Sequence, residues 1–227
     1  MVVVLFDLEG TLVKTIWDEQ EPSSILEFRQ QTREKLIKLG IPPQVLSEVK
    51  TYTLMCNKAF EYAEENFSEK EAKLFHRQID EFARGFEMLS AESSKLFPET
   101  LATLRTLKRL GYKMGIITNT SKEAVDLIFS KNKLREFFEV VITREDVKRL
   151  KPDPEGVLLA LKRLGETEFF LVGDSIYDAQ AAEKAGGLSI TVNRNPSKDL
   201  EFHADHVVQS LAEIPALIRD RKGRKTC

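Results

Sequence analysis

Apolar residues follow two different periodicities along the chain. Between about residues 23 and 89 they recur every three or four positions with no β-rich run, as the series Phe75, Ile79, Phe82, Phe86 and Leu89 illustrates. This spacing predicts a group of roughly three amphipathic helices. From residue 95 onward, short apolar runs alternate with helical patterns. The runs that predict strands are residues 2–6, 113–118, 140–143, 169–172 and 188–192.

Strands that alternate with helices predict an α/β fold with a doubly wound parallel sheet of the Rossmann-like kind. Because the first strand precedes the helical stretch, the helices are predicted to form an inserted cap domain. The predicted boundaries are residues 1–14 and 93–227 for the core and residues 15–92 for the cap. The connectors 14–18 and 91–97 are predicted hinges of a lid that admits a substrate and then excludes water.

Residues at the predicted helix ends agree with this division. The segment Asn66-Phe67-Ser68 supplies a candidate N-cap before another helix. Gly111, Gly165 and Gly186 stand where a helix needs a left-handed residue to end. Periodicity and end signals therefore favour the same elements.

Charge and composition narrow the class of partners. The 34 basic and 36 acidic residues give a net charge of −2, which predicts neither a nucleic-acid partner nor an anionic membrane surface. Cys56 and Cys227 are far apart and lack metal spacing, so we expect two unpaired thiols. No apolar stretch approaches the ~20 residues of a membrane span. We therefore expect a cytoplasmic protein, and the sequence leaves the oligomeric state open.

The first candidate for chemistry is the segment Asp7-Leu8-Glu9-Gly10-Thr11, which directly follows the apolar run 2–6. Open α/β sheets place their chemistry at such strand ends. Side chains two positions apart on a strand face the same way, so Asp7 and Glu9 can serve one small site. One carboxylate can attack while the other moves a proton. A solvated turn is the alternative interpretation, because these residues are also common in turns.

Two further segments offer groups that bind an anion. The apolar run that ends in Thr118 and Asn119 is followed by Ser121, a candidate N-cap of the next helix. A hydroxyl and backbone N–H groups beside a helix N-terminus suit a phosphate. Lys151 precedes Pro152, which holds it out of the next helix in a loop. Its ammonium can neutralise both an attacking carboxylate and a phosphate oxygen. A solvated surface lysine is the alternative interpretation.

The fourth segment, Gly173-Asp174-Ser175-Ile176-Tyr177-Asp178, follows the apolar run 169–172. Gly173 allows a close approach of the backbone, and Asp178 lies one helical turn beyond Asp174. Carboxylate oxygens, waters and a substrate phosphate make the octahedral shell that Mg²⁺ prefers. The segment therefore predicts a Mg²⁺ site, and an N-cap aspartate followed by a surface aspartate is the alternative interpretation.

In this order, the four segments resemble the four motifs of the haloacid dehalogenase superfamily, and the resemblance covers nearly the whole chain. The closest likeness is to phosphoglycolate-phosphatase-like members. The resemblance implies that Asp7 is a nucleophile that forms an aspartyl-phosphate. It also implies that Asp7, Asp174 and the backbone carbonyl of Glu9 hold Mg²⁺, with Asp178 supporting the metal shell.

The same resemblance implies roles in binding the substrate, a small-molecule phosphomonoester. Thr118 and Lys151 would bind the transferring phosphoryl group, and Asn119 is a neighbouring candidate for phosphate binding. Lys151 would also keep the nucleophile and the phosphate oxygens from repelling one another.

Glu9 departs from the family pattern, because most phosphatases of the superfamily have Asp at this position as the general acid and base. A glutamate supplies the same carboxyl group from one methylene further, so we predict that Glu9 performs both proton transfers. The predicted function is a Mg²⁺-dependent phosphatase. Two alternatives stay open: a phosphomutase of the same superfamily, and an inactive phosphate-binding regulatory protein in which Glu9 is the disabling change.

Some residues of the predicted cap allow two interpretations. Phe75, Phe82 and Phe86 either pack in the cap core or form the floor of a substrate pocket. Trp17, near the first predicted hinge, either contacts substrate or fixes the lid.

Overall fold

The computed structural model describes residues 2–15, 22–195 and 204–224, and it describes only the backbone of residues 22–24 and 220–224. The described strands are β1 (Val3–Phe6), β2 (Val13–Lys14), β3 (Lys95–Leu96), β4 (Lys113–Ile117), β5 (Val140–Ile142), β6 (Phe169–Gly173), β7 (Leu188–Val192) and β8 (His206–Val208). Six of them form one parallel sheet in the order β5-β4-β1-β6-β7-β8. The short strands β2 and β3 form a separate antiparallel pair.

Helices fill the chain between the strands. The described α-helices are α1 (Pro22–Lys38), α2 (Tyr52–Asn66), α3 (Glu69–Ser93), α4 (Thr100–Arg109), α5 (Lys122–Asn132), α6 (Glu155–Leu164), α7 (Ile176–Lys184) and α8 (Ile214–Arg224). Three of them, α1 to α3, lie between β2 and β3 in the chain and form the helical insertion. The prediction of a doubly wound α/β fold with a parallel sheet is confirmed, and the helical insertion lies where the cap is predicted.

Strand β1 lies in the centre of the sheet and is covered on both faces. All four of its side chains are fully buried. Val4 and Phe6 belong to the apolar cluster on one face of the sheet, and Val3 and Leu5 belong to the cluster on the other face. A parallel strand with two buried faces needs a continuous apolar run rather than an alternating one, which is why this segment contains no polar residue.

Most of a third apolar cluster lies in the cap, and Leu150 of the core packs into it. Leu36 of α1, Met55 and Phe60 of α2, and Phe75 and Ile79 of α3 pack there with little or no exposure. A helix that buries one stripe of its surface against neighbours gains most of its stability from that packing. The insertion is therefore a packed helical unit.

Helix α3 connects the cap to the core. It begins after Ser68, whose hydroxyl and backbone N–H form a reciprocal capping box with Glu71. Further along, Ile79 packs in the cap cluster, whereas Met88 and Ala91 pack in the core cluster beneath the sheet. One helix thus belongs to both hydrophobic cores.

The predicted strands end within one residue of the observed ones, and Gly111, Gly165 and Gly186 all have positive φ as predicted. The pattern did not predict β2, β3 or β8, which have only two or three residues each. The predicted N-cap segment 66–68 does contain the N-cap, which is Ser68. The residue bounds of the cap and its motion as a lid stay predictions.

The remaining predictions concern the first hinge, the two cysteine thiols and membrane-spanning helices. Trp17 and residues 16–18 of the first predicted hinge lie outside the described residues, as does Cys227. Cys56 is a buried free thiol. No helix of the described residues is long and apolar enough to cross a membrane.

Candidate active site

The predicted site residues meet at the carboxyl ends of three adjacent strands. Asp7 follows β1, Thr118 follows β4 and Asp174 follows β6, and β1 lies between the other two strands. Parallel strands end at one edge of the sheet, so side chains far apart in sequence converge there. The candidate catalytic, phosphate-binding and metal-binding side chains described below lie at this edge of the sheet.

Lys151 links two carboxylates inside this site. Its ammonium Nζ lies 2.6 Å from Asp7 Oδ1 and 2.5 Å from Asp178 Oδ1, and it also donates to the carbonyl of Ile117 at 2.9 Å. Lys151 is only 6% exposed. Burial disfavours its charged form, but the negative charges of Asp178 and Asp7 outweigh burial and raise the pKa of Lys151. The lysine is therefore a fixed positive charge.

Asp7 is buried beside that charge. Burial raises the pKa of Asp7, Lys151 opposes the rise, and the nearby charge of Asp178 adds to it. Thr11 Oγ1 lies 3.4 Å from Asp7 Oδ2 and 3.2 Å from Asp174 Oδ1, so one hydroxyl joins the first and fourth sequence segments. Lys151 and Thr11 thus approach the two oxygens of Asp7 separately, Lys151 at Oδ1 and Thr11 at Oδ2.

Three carboxylates form a candidate metal site. Asp7, Asp174 and Asp178 each offer an oxygen, and these three atoms all lie within 4.8 Å of one another. Such hard oxygen donors suit Mg²⁺. Both oxygens of Asp178 already accept hydrogen bonds, one from Lys151 and the other from the backbone N–H and hydroxyl of Ser175. The donor set therefore fits a divalent cation held mainly by Asp7 and Asp174.

Two glycines permit this crowding. A Cβ on Gly10, which has a φ of +77°, would stand 2.3 Å from Asp174 Oδ2. A Cβ on Gly173 would stand 2.2 Å from the carboxyl carbon of Asp178. Any side chain at either position would displace a carboxylate. The close approach predicted for Gly173 is confirmed.

The Glu9 carboxylate accepts hydrogen bonds from two hydroxyl groups. Ser90 Oγ donates to Glu9 Oε1 at 2.6 Å, and Thr120 Oγ1 donates to Glu9 Oε2 at 2.5 Å. Burial raises the pKa of Glu9 to about 7, against the two hydroxyl hydrogen bonds that lower it. A carboxyl group that is half protonated near neutral pH is suited to both giving and taking a proton.

The predicted phosphate-binding residues lie beside Lys151. Thr118 is buried, and its Oγ1 accepts the backbone N–H of Thr120. The side-chain amide of Asn119 accepts the backbone N–H of Lys151 at 2.9 Å and donates to the carbonyl of the same residue at 3.3 Å. In this structure Asn119 thus fixes the loop that carries Lys151, and its contact with phosphate stays a prediction.

The cap lies close over the site. Thr51 and Tyr177 share a hydrogen bond of 2.6 Å between the start of α2 and the start of α7. The Asn57 side chain exchanges two hydrogen bonds with the backbone of Leu150, next to Lys151. Phe75 is buried in the cap cluster, which settles its two interpretations in favour of packing, while Phe82 and Phe86 contact Phe28 of α1.

Sequence reasoning did not find Thr11, Ser90 or Thr120 as parts of the site. Thr11 stood inside the first segment, and its position four residues after Asp7 was a usable signal. Ser90 is 81 residues from Glu9, and Thr120 is 111 residues away. No local pattern reports contacts over such separations.

Comparison with known proteins agrees with the fold. Residues 4–192 match the family model described as haloacid dehalogenase-like hydrolase. A protein named pyrophosphatase PpaX from Bacillus velezensis is 32% identical over 226 residues, which cover 94% of each chain. A PpaX pyrophosphatase from Bacillus cereus is 32% identical over 84% of this chain and 82% of its own length. The crystal structure of a HAD phosphatase from Thermococcus onnurineus has 28% identity and a TM-score of 0.59, and covers 96% of this chain and 98% of its own.

Proposed function

Because the chain belongs to the haloacid dehalogenase-like hydrolase family, we propose that it is a Mg²⁺-dependent phosphatase that acts on a small phosphomonoester. One observation carries this proposal: Asp7 and Glu9, two residues apart, have separate environments at the same strand end. Asp7 lies against Lys151, whereas Glu9 lies between two hydroxyl groups. Such a division supports one carboxylate that attacks and another that transfers protons.

In the first step, an Asp7 carboxylate oxygen attacks the phosphorus atom and the bond to the leaving oxygen breaks. The protonated Glu9 carboxyl gives its proton to that leaving oxygen, so an alcohol departs. The phosphoryl group is then held on Asp7 as an acyl phosphate. Lys151 keeps its positive charge throughout, which offsets the repulsion between the Asp7 carboxylate and the phosphate oxygens.

In the second step, Glu9 is a carboxylate and takes a proton from a water molecule that attacks the phosphorus atom. The bond to Asp7 breaks, inorganic phosphate forms, and both carboxyl groups return to their starting states. The buried Thr118 hydroxyl would donate a hydrogen bond to a phosphate oxygen. A Mg²⁺ ion held by Asp7 and Asp174, with Asp178 in support, would supply further positive charge for the phosphate oxygens.

The names of the relatives suggest substrates for testing. Pyrophosphate enters the panel because two relatives are named pyrophosphatases. Phosphoglycolate enters it because the sequence motifs resemble that type of phosphatase. We propose hydrolysis as the reaction class and leave the choice among small phosphate compounds to the measurement.

The test is phosphate release from a panel of phosphomonoesters and pyrophosphate, with Mg²⁺ and with chelator. We expect turnover that depends on Mg²⁺, is absent from the Asp7→Asn variant and is retained by Asp126→Asn, which changes an exposed aspartate on α5. Formation of an isomeric phosphate ester without phosphate release would instead support a mutase. Mg²⁺ binding with no turnover of any compound would overturn the proposal.

A further inference from the structure

The two hydroxyl groups on Glu9 come from different parts of the chain. Ser90 lies near the end of α3, in the helical insertion, and Thr120 lies in the turn between β4 and α5. Each hydroxyl donates to a different oxygen of the same carboxylate, at 2.6 Å from Ser90 and 2.5 Å from Thr120. Two donors on two oxygens fix both the position and the rotation of a carboxyl group.

Both hydroxyl groups are enclosed in the protein. Ser90 is fully buried and Thr120 is 5% exposed. A buried hydroxyl needs a hydrogen-bond partner, and the described partner of each of these side chains is Glu9. Both buried hydroxyl groups therefore use the Glu9 carboxylate as their hydrogen-bond acceptor.

The part of α3 that contains Ser90 is bound to the core, although the helix begins in the cap. One turn earlier, Glu87 accepts the backbone N–H of Ser121 at 3.1 Å and pairs with the guanidinium of Arg144. One residue later, the carbonyl of Ala91 accepts a hydrogen bond from Lys131 of α5 at 3.2 Å. These contacts hold the last turns of α3 against the core, so the position of Ser90 relative to Glu9 is set by core residues.

We infer that Ser90 and Thr120 are positioning residues of the phosphatase reaction, which aim the Glu9 carboxyl at the leaving oxygen. The inference rests on the proposed function and adds residues that neither the four sequence segments nor the metal group contains. The longer glutamate side chain has one more rotatable bond than aspartate and therefore more orientations to restrict. Two hydroxyl donors, one on each oxygen, restrict it.

The leaving group provides a selective test of positioning. An alkyl phosphate such as glycerol phosphate releases a poor leaving oxygen that needs the proton of Glu9. The p-nitrophenyl phosphate ester releases a stable phenolate that leaves without it. Because kcat/KM reports the steps up to cleavage of the ester, a misplaced Glu9 lowers kcat/KM for alkyl esters much more than for the aryl ester.

The variants are Ser90→Ala and Thr120→Val, each of which removes one hydroxyl with little change in volume. We expect kcat/KM on glycerol phosphate to fall roughly 10- to 100-fold in each, with a much smaller fall on p-nitrophenyl phosphate. Thr120→Ser keeps the hydroxyl and should restore most of the loss. In a Glu9→Gln background, Ser90→Ala should add no further loss, because its target is already disabled.

Ser93→Ala is the matched control, since this serine is in the same final turn and donates to the carbonyl of Ser90 instead. It should leave the ratio of kcat/KM on glycerol phosphate to kcat/KM on p-nitrophenyl phosphate unchanged. Equal losses on both esters in Ser90→Ala, or a full additional loss in the Glu9→Gln background, would overturn the inference while leaving the phosphatase intact. A wild-type enzyme inactive on every ester would instead reject the proposed function.

Discussion

Single residues decide how closely the catalytic groups approach, and Gly10 is the clearest case. It lies in the turn after β1 with positive φ, and the Asp174 carboxylate occupies the space that a side chain would need. In the sequence, this glycine is one of several residues in its segment that are common in turns. The segment could not reveal that the turn faces a carboxylate more than 160 residues away, because that contact exists only after the strands pair.

Replacing Gly10 with alanine should therefore damage the metal site more than the fold. The left-handed backbone costs roughly 1–2 kcal/mol of stability for a residue with a Cβ. The larger effect is that Asp174 must move, since the new Cβ would lie 2.3 Å from its Oδ2. We expect Gly10→Ala to need a higher Mg²⁺ concentration for half-maximal activity, measured by titrating Mg²⁺ in a phosphate-release assay.

Gly85 provides the matched control for this change. It lies on the exposed side of α3, where a Cβ would meet no atom within 4 Å beyond the neighbouring backbone of its own helix. Gly85→Ala should raise the free energy of unfolding by about 0.5–1 kcal/mol, because alanine favours a helix interior, and should leave the Mg²⁺ titration unchanged. An unchanged Mg²⁺ requirement in Gly10→Ala would show that Asp174 does not serve the metal.

Among the elements, α3 has the most varied contacts. Its start was predictable, because Ser68 and the spacing of its apolar residues are local signals. Its attachment to the core was not predictable, because it depends on Arg144, which resembles any other arginine in the sequence. Arg144 is buried and pairs with Asp80, whose Oδ1 lies 3.0 Å from its Nε, and with Glu87.

Removing this arginine should strongly destabilise the protein. In Arg144→Met, the Glu87 carboxylate keeps its buried position but loses its positive partner, which costs about 3–5 kcal/mol in comparable buried pairs. Burial already raises the pKa of Glu87, and Arg144 opposes that rise. The raised pKa means that protonation relieves the penalty, so the deficit should be largest at neutral and higher pH and should shrink as the pH falls.

Urea unfolding at several pH values measures this deficit. Arg77→Met is the control, since Arg77 of the same helix pairs only loosely with Glu81, at 4.0 Å and with both side chains mostly exposed. We expect that control to lose less than about 1 kcal/mol. A similar small loss in Arg144→Met, with no dependence on pH, would mean that the buried pairs do not hold α3 to the core.

For the whole molecule, sequence patterns gave the order of strands and helices, and the topology of the parallel sheet then brought the segments together. Asp7, Thr118 and Asp174 converge because β4, β1 and β6 are neighbours in the sheet. The patterns could not give the partners of Glu9, because Ser90 comes from the helical insertion and Thr120 from a turn. Contacts between the helical insertion and the core depend on three-dimensional packing, which leaves no periodic pattern in the sequence.

The central claim is that the phosphoryl group passes through Asp7, and direct detection of that group is its sharpest test. With Glu9→Gln and p-nitrophenyl phosphate, the aryl ester should still transfer its phosphoryl group, whereas attack by water on the acyl phosphate lacks its base. Acid quenching followed by mass spectrometry should then find one added phosphoryl group on the peptide that contains Asp7, and none in Asp7→Asn. An active enzyme that never carries phosphate on Asp7, or carries it on another residue, would contradict the account.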